Sequence, residues 1–409
     1  MSRMRRIGIL TGGGDVPGLN SVIKSVVYKS TGLGYEVIGI RRGWEGLTHM
    51  QPGPELDPDY LRLLDRVNTR GIDRTGGTVL HTSRLNPQRI KQAVAPAHIS
   101  GEQLKRLERG EGVYDFTPVV LDNVAQLGLD YLIVIGGDDT LSFAKVLDAK
   151  GLPLLGIPKT MDNDVHGTEY CIGFSTAITR AKELITRQRT TLGSHERIGV
   201  FRIFGRDSGF TALYTAYVSS ARCVLPEVEF DLDRLTQILV EDKRNNPSRY
   251  SLVIASEGAV WKGQPVEEFG EADAYGHKKK ADIGHALAEE IRLRTGEDTM
   301  SSDLTYDLRS GEADALDQMV AITFANVAMD LVRDGVHGRL IAVQDGKYTH
   351  APLPDPKLGP RTVDVPRMYN LDRFRPLRPG APASSRSASN PRPSPVSYTH
   401  LTLPTKRIV

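Results

Sequence analysis

The feature that most constrains the fold is a recurring pattern: short apolar runs closed by glycine or proline, each leading into a helix-like stretch. "RIGIL" (6–10), "YEVIGI" (35–40), "YLIVIGG" (131–137) and "LPLLGIP" (152–158) are too short for core helices and too apolar for strands with one wet face. "NSVIKSVVYKST" (20–31) and "TLSFAKVLDA" (140–149) have the spacing of helices between them. Buried strands alternating with helices predict parallel β-α-β units, which gather ligands at the carboxyl ends of the strands. A second series, "ERIGVFRIFG" (196–205), "ARCVLPEVEF" (221–230) and "RYSLVIASEGA" (249–259), predicts a second lobe. The expected class is α/β, with two similar Rossmann-like lobes and mainly parallel sheets.

The formal net charge of +2 is unevenly spread. From Leu377 onward there are five cations (Arg378, Arg386, Arg392, Lys406 and Arg407) and no acid, so the rest of the chain is slightly acidic. Bulk charge therefore gives no reason to expect nucleic acid as a partner. The two cysteines, Cys171 and Cys223, lack metal-ligand spacing and read as thiols of a reducing cytoplasm. No apolar run approaches the roughly 18 residues of a membrane span, and the basic start leads into a glycine loop rather than a signal peptide. A cytoplasmic protein without a membrane partner is expected. Residues 377–409, rich in Pro, Ser and Arg, read as a disordered or non-native tail that cannot build a core.

Two glycine loops follow predicted strands. In "TGGGDVPGLNSVIKSVV" (11–27) glycines bring the backbone close to a ligand, and the next helix offers unpaired N–H groups and its positive dipole end. "GGDDT" (136–140) is a similar cradle, but Asp138 and Asp139 should repel a bare phosphate. A third stretch, "GIPKTMDNDVHGTEYCIGFSTA" (156–177), places Asp162 and Asp164 one residue apart after a buried strand, with Lys159 upstream. On an extended chain the two carboxylates point the same way, so one can take a proton while the other orients a metal or a sugar hydroxyl. Tight β-α turns and an Asx-rich turn are the plain structural alternatives for these three stretches.

Taken together, "TGGGDVPGLN", "IGGDDT", "PKTMDNDVHGTEYCIGFSTA", "GRDSGF", "VLPEVEF" and "ASEGA", in this order, resemble the phosphofructokinase family over roughly residues 5 to 376. The resemblance implies that family's fold. It implies a phosphoryl-donor lobe of residues 1–172 plus about 308–376, and a fructose 6-phosphate lobe of residues 173–307. It also implies roles for individual residues. Asp162 would be the base that takes the proton of the sugar 1-hydroxyl, Asp164 would assist, and Thr160 would contact the transferring group. Asp138 would lie near Mg²⁺, which makes an acid beside phosphates favourable. Gly12, Gly13, Gly14, Arg84, Gly137, Asp139 and Thr140 would bind the donor. Phe204, Gly205, Arg206, Glu227, Tyr306 and Arg309 would hold the sugar phosphate. Arg197 would arrive from a neighbouring subunit, implying a homodimer or homotetramer with shared sites. The family's second intersubunit arginine falls on Met300, where Arg292, Arg294 or Lys278 to Lys280 could compensate.

The resemblance also bears on the donor. ATP-using members carry glycine at the positions of Asp139 and Lys159, whereas pyrophosphate-using members carry Asp and Lys, as here. An Asp side chain fills the space of a nucleotide's α-phosphate and repels it, and pyrophosphate has no such group. Lys159 offers a mobile ammonium to the diphosphate and can pair with Asp139. The expected activity is Mg²⁺-assisted, reversible transfer from pyrophosphate to fructose 6-phosphate. The alternatives are an ATP-dependent 6-phosphofructokinase, a non-catalytic sugar-phosphate or nucleotide sensor, and a lipid or NAD kinase built on the Gly-Gly-Asp turn.

Overall fold

A computed structural model describes residues 4–264 and 282–377, with the backbone of the antiparallel pair Glu268–Phe269 and Lys279–Lys280. The tail expected from residue 377, apart from Leu377 itself, and the side chains of Lys278 to Lys280 lie outside the described residues.

Most of the apolar runs become strands of two sheets. The larger has seven strands, in the spatial order Lys347–Pro352, Arg339–Gln344, Leu154–Pro158, Tyr131–Gly136, Arg5–Thr11, Tyr35–Ile40 and Leu61–Leu64. Its inner strands are parallel, and the strand at each edge is antiparallel to its neighbour. Ile7, Ile9, Leu10, Ile133, Val134 and Ile135 are fully buried, which is why these strands read as unbroken apolar runs. The smaller sheet has four parallel strands, Arg222–Val224, Ser251–Ser256, Ile198–Ile203 and Thr299–Leu304. The structure is thus α/β with mainly parallel sheets, as the periodicity predicts.

The chain order around Arg5–Thr11 creates a crevice. This strand continues to Tyr35–Ile40 on one side, while Tyr131–Gly136 pairs on the other side and continues outward to Leu154–Pro158. Connections leaving neighbouring parallel strands in opposite directions part at their carboxyl ends, the place where open α/β sheets bind ligands.

Three features of the periphery differ from or add to the sequence reading. Helix Ala315–Arg333 is long and apolar enough by composition to cross a membrane, which the search for apolar runs did not show. Half of it is buried, it packs beside helix Leu19–Gly32, and Asp317 within it is fully enclosed. Met300, at the expected arginine position, packs against the core. The last described residues leave the larger sheet: the Cys223 N–H donates to the Phe374 carbonyl, and Arg222 donates to that of Arg373. The stretch near residues 369–376 therefore packs on the smaller sheet, not with the half to which the sequence reading assigned it.

The two tryptophans lie in different halves. Trp44 is buried, meets Phe143 edge-on at 4.9 Å and donates its indole N–H to the Thr140 carbonyl. Trp261 packs on Phe230 beside the smaller sheet.

Candidate active site

The first wall of the crevice is built by the turn after Arg5–Thr11. The Gly12 N–H donates to Ile135 and the Gly13 N–H to Ser83, both at 3.0 Å, so the loop is tied down on two sides. A Cβ on Gly12 would come within 2.7 Å of Thr140, and one on Gly14 within 2.6 Å of the Arg309 Nη1. Glycine is needed here for close approach between loops.

Two cations converge on this turn. Lys159 donates its ammonium to the Gly14 carbonyl at 2.6 Å, and Arg309 donates to that of Asp15 at 2.8 Å. The contact that fixes the lysine is thus a backbone carbonyl, where the sequence suggested a pair with Asp139. Burial, then the Arg309 charge, pulls the Lys159 ammonium down to about 7, with Asp15 opposing. Arg309 lies 4.4 Å over the ring of Phe204 and so spans the two walls of the crevice.

Asp138 and Asp139 open helix Asp138–Asp148 directly after its N-cap, Gly137. Carboxylates in a first turn are stabilised by the unpaired N–H groups and the dipole, which by itself accounts for two adjacent acids at this place.

Between these turns runs the acidic loop. It departs from the extended geometry expected, because Asn163 adopts φ 54°. Asparagine tolerates this left-handed conformation because its side chain bonds locally. Asn163 accepts from the Cys171 N–H at 2.8 Å and donates to the Glu169 carbonyl at 2.9 Å. The kink still leaves Asp162 and Asp164 on one cavity wall. The Asp162 N–H donates to the Thr160 hydroxyl at 3.1 Å, and its Oδ1 is enclosed without a hydrogen-bond partner among the described residues. Burial, followed by the Asp164 charge, pushes the Asp162 carboxyl up to about 8. Asp164 is also raised, by burial and the Asp138 charge, against hydrogen bonding and the Arg361 charge.

The opposite wall comes from the smaller sheet. Gly205 has φ 124°, and a Cβ there would lie 2.2 Å from the Ser256 Oγ, which donates to the Gly205 carbonyl at 2.8 Å. This turn aims Phe204 and Arg206 into a cavity of about 460 Å³ whose other side is Gly13, Gly14, Arg84 and Gly137 to Thr140. Lys159, Thr160, Asp162 and Asp164 form the floor, the exposed Tyr306 stands at the rim, and Arg309 lines the cavity between the walls.

Four expected site residues do not line the cavity. Gly12 and Gly205 shape it from behind. Glu227 accepts the Gly209 and Val363 N–H groups, both at 2.8 Å, so it anchors a helix start and the C-terminal segment instead of facing the sugar space. Arg197 stands at the start of Ile198–Ile203, the far end of the strand whose carboxyl end meets the cavity. The sequence reading missed Arg202 and Glu257. They line the cavity 3.5 Å apart, and Arg202 also meets Asp303 at 3.2 Å. Glu257 lay inside the quoted "ASEGA" stretch; nothing in the sequence marked Arg202.

The family model for phosphofructokinase matches residues 6–332. This chain belongs to the phosphofructokinase family. It is 37% identical to an ATP-dependent 6-phosphofructokinase 3 of Streptomyces coelicolor, over 88% of this chain and 96% of that protein. It is 36% identical to a pyrophosphate–fructose 6-phosphate 1-phosphotransferase of the same organism, over 89% and 97% of the two chains. Among solved structures, a pyrophosphate-dependent phosphofructokinase from Marinobacter aquaeolei shares the fold at TM-score 0.69 and 16% identity, covering 91% of this chain and 89% of that one. Membership of the phosphofructokinase family indicates a phosphotransferase acting in glycolysis. Relatives named for ATP and for pyrophosphate stand at nearly equal identity, so kinship leaves the donor open.

Proposed function

We propose that this phosphofructokinase is a cytoplasmic, pyrophosphate-dependent enzyme that phosphorylates the 1-hydroxyl of fructose 6-phosphate. The observation carrying the donor reading is the cavity wall itself: the Asp139 carboxylate and Lys159 ammonium both line it beside Gly13 and Gly14. An acid at that place disfavours a donor with a further phosphate, and the ammonium complements a compact diphosphate. Glycine at either position would lose that discrimination.

The site supports the following roles. Asp162, whose enclosed Oδ1 has no competing partner among the described residues, takes the hydroxyl proton. The sugar oxygen then bonds to the terminal phosphorus of pyrophosphate while the bridging P–O bond breaks and inorganic phosphate leaves. Thr160 contacts the transferring group. Arg84 and the glycine loops hold the donor by charge and backbone N–H groups. Arg206, Tyr306 and Arg309 face the sugar phosphate, with Glu257 in the place first given to Glu227.

Asp138 and Asp164, whose charges oppose each other, suit a shared Mg²⁺. No cluster of three acidic, His or Cys ligands exists among the described residues, which fits a cation held by one or two carboxylates plus phosphate oxygens. When bound, Mg²⁺ would neutralise the diphosphate charge and help align it.

Purified protein assayed with fructose 6-phosphate, Mg²⁺ and either donor tests the reading. Turnover is expected with pyrophosphate and little with ATP, with phosphate-dependent reversal from fructose 1,6-bisphosphate. Asp139→Gly is expected to admit ATP weakly. Robust ATP turnover without pyrophosphate activity would show the ATP-dependent alternative to be right.

A further inference from the structure

The acidic loop is held from outside by a segment that no catalytic motif includes. After the 3₁₀ turn Pro356–Leu358 the chain passes the cavity at Pro360 and reaches Arg361. The Arg361 backbone N–H donates to the Asp164 carbonyl and its Nη2 to the Asn163 carbonyl, both at 2.6 Å. The guanidinium sits 4.5 Å over the ring of Phe210. The neighbouring Thr211 hydroxyl donates to the Met161 carbonyl at 2.6 Å. Two residues on, the Val363 N–H is fixed by Glu227, which also takes the Gly209 N–H at the start of the same helix.

Three carbonyls of the loop, those of Met161, Asn163 and Asp164, are thus turned away from the cavity and pinned. That orientation matters because Asn163 is left-handed, a conformation that relaxes readily by rotation of its flanking peptides unless they are held. Rotation would aim a carbonyl at the substrates and swing the neighbouring carboxylates aside. Arg361 is well suited to hold them, since its charge is permanent, its plane stacks on Phe210, and it presents a donor in fixed geometry.

We propose that Arg361 is a positioning residue for phosphoryl transfer, acting through the Asn163 and Asp164 carbonyls to keep both carboxylates aimed into the cavity. This rests on the function proposed above, with Asp162 as base. Arg361→Met keeps contact with Phe210 and the backbone N–H bond to the Asp164 carbonyl, but removes the side-chain donor to the Asn163 carbonyl. It is expected to lower kcat by about 30- to 100-fold, the scale of an ångström of misplacement, with both KM values within about twofold and the melting temperature little changed. Arg361→Lys, which keeps charge and a donor, is expected to recover kcat to within about fivefold of wild type. Wild-type kcat in a folded Arg361→Met enzyme would overturn the proposal, as would a loss confined to KM. Should Arg361→Met not fold, a folded Arg361→Lys enzyme more than about 30-fold slow in kcat would overturn it equally. Asp162→Asn, assayed alongside, separates the two claims. If it turns over normally the base assignment fails, whereas its inactivity beside a normal Arg361→Met enzyme sinks only the role of Arg361.

Discussion

Enclosure moves the two key ionisable groups of the cavity floor in opposite directions. It pushes the Asp162 carboxyl up to about 8 and pulls the Lys159 ammonium down to about 7, because each is costly to keep charged there. Asp162 must be ionised to take a proton, so activity rises with pH as that carboxyl titrates. Lys159 must be charged to complement the donor, so activity falls as pH passes through its own titration. The profile of kcat/KM is therefore expected to be a bell centred between pH 7 and 8. Lys159→Met should erase the alkaline limb. Asp162→Asn should lower kcat by about 10²- to 10⁴-fold while calorimetry still detects fructose 6-phosphate binding. A flat profile in the wild type would refute both assignments.

At the scale of elements, one carboxylate joins two helices. Asp317, fully buried in helix Ala315–Arg333, accepts the Gly173 and Thr176 N–H groups and the Thr176 and Tyr170 hydroxyls, at 2.6 to 2.9 Å. It thereby satisfies the start of helix Phe174–Ser194, which follows the acidic loop. Asp317→Ala leaves these donors enclosed and is expected to cost about 2–4 kcal/mol, read by denaturant titration. This residue was invisible in the sequence, since its partners lie more than 130 positions away. The sheet strands were legible because burial on both faces makes them apolar without interruption, and the glycine turns because their spacing is local. Arg202, Asp317 and Arg361 were not, for each acts on a segment that folding alone brings near. The bond of Lys159 to the Gly14 carbonyl was illegible for the same reason: a backbone carbonyl leaves no mark in the residue code. The kink at Asn163 was misread, where a two-residue spacing of acids suggested an extended chain.

For the whole molecule, the cavity draws one wall from each sheet, with Arg309 across the seam. Arg197 belongs to the smaller sheet but stands at the other end of the strand that carries Arg202 to the cavity. A six-residue strand is about 20 Å long, too far for the side chain to return to its own site. We propose that Arg197 instead serves a neighbouring copy, in a homo-oligomer with shared sites. Mixing inactive Arg197→Ala and Asp162→Asn proteins after dissociation should restore activity, since some hybrid sites then hold both native residues. No recovery in verified hybrids would remove Arg197 from the site.

The placement of the two tryptophans makes the protein its own optical instrument. Trp44 donates to the Thr140 carbonyl behind Asp139, whereas Trp261 lies beside Phe230 in the other half. Pyrophosphate should therefore perturb intrinsic emission through Trp44, with the signal lost in Trp44→Phe and kept in Trp261→Phe. Binding of the donor is then read from Trp44 alone, before any chemistry occurs.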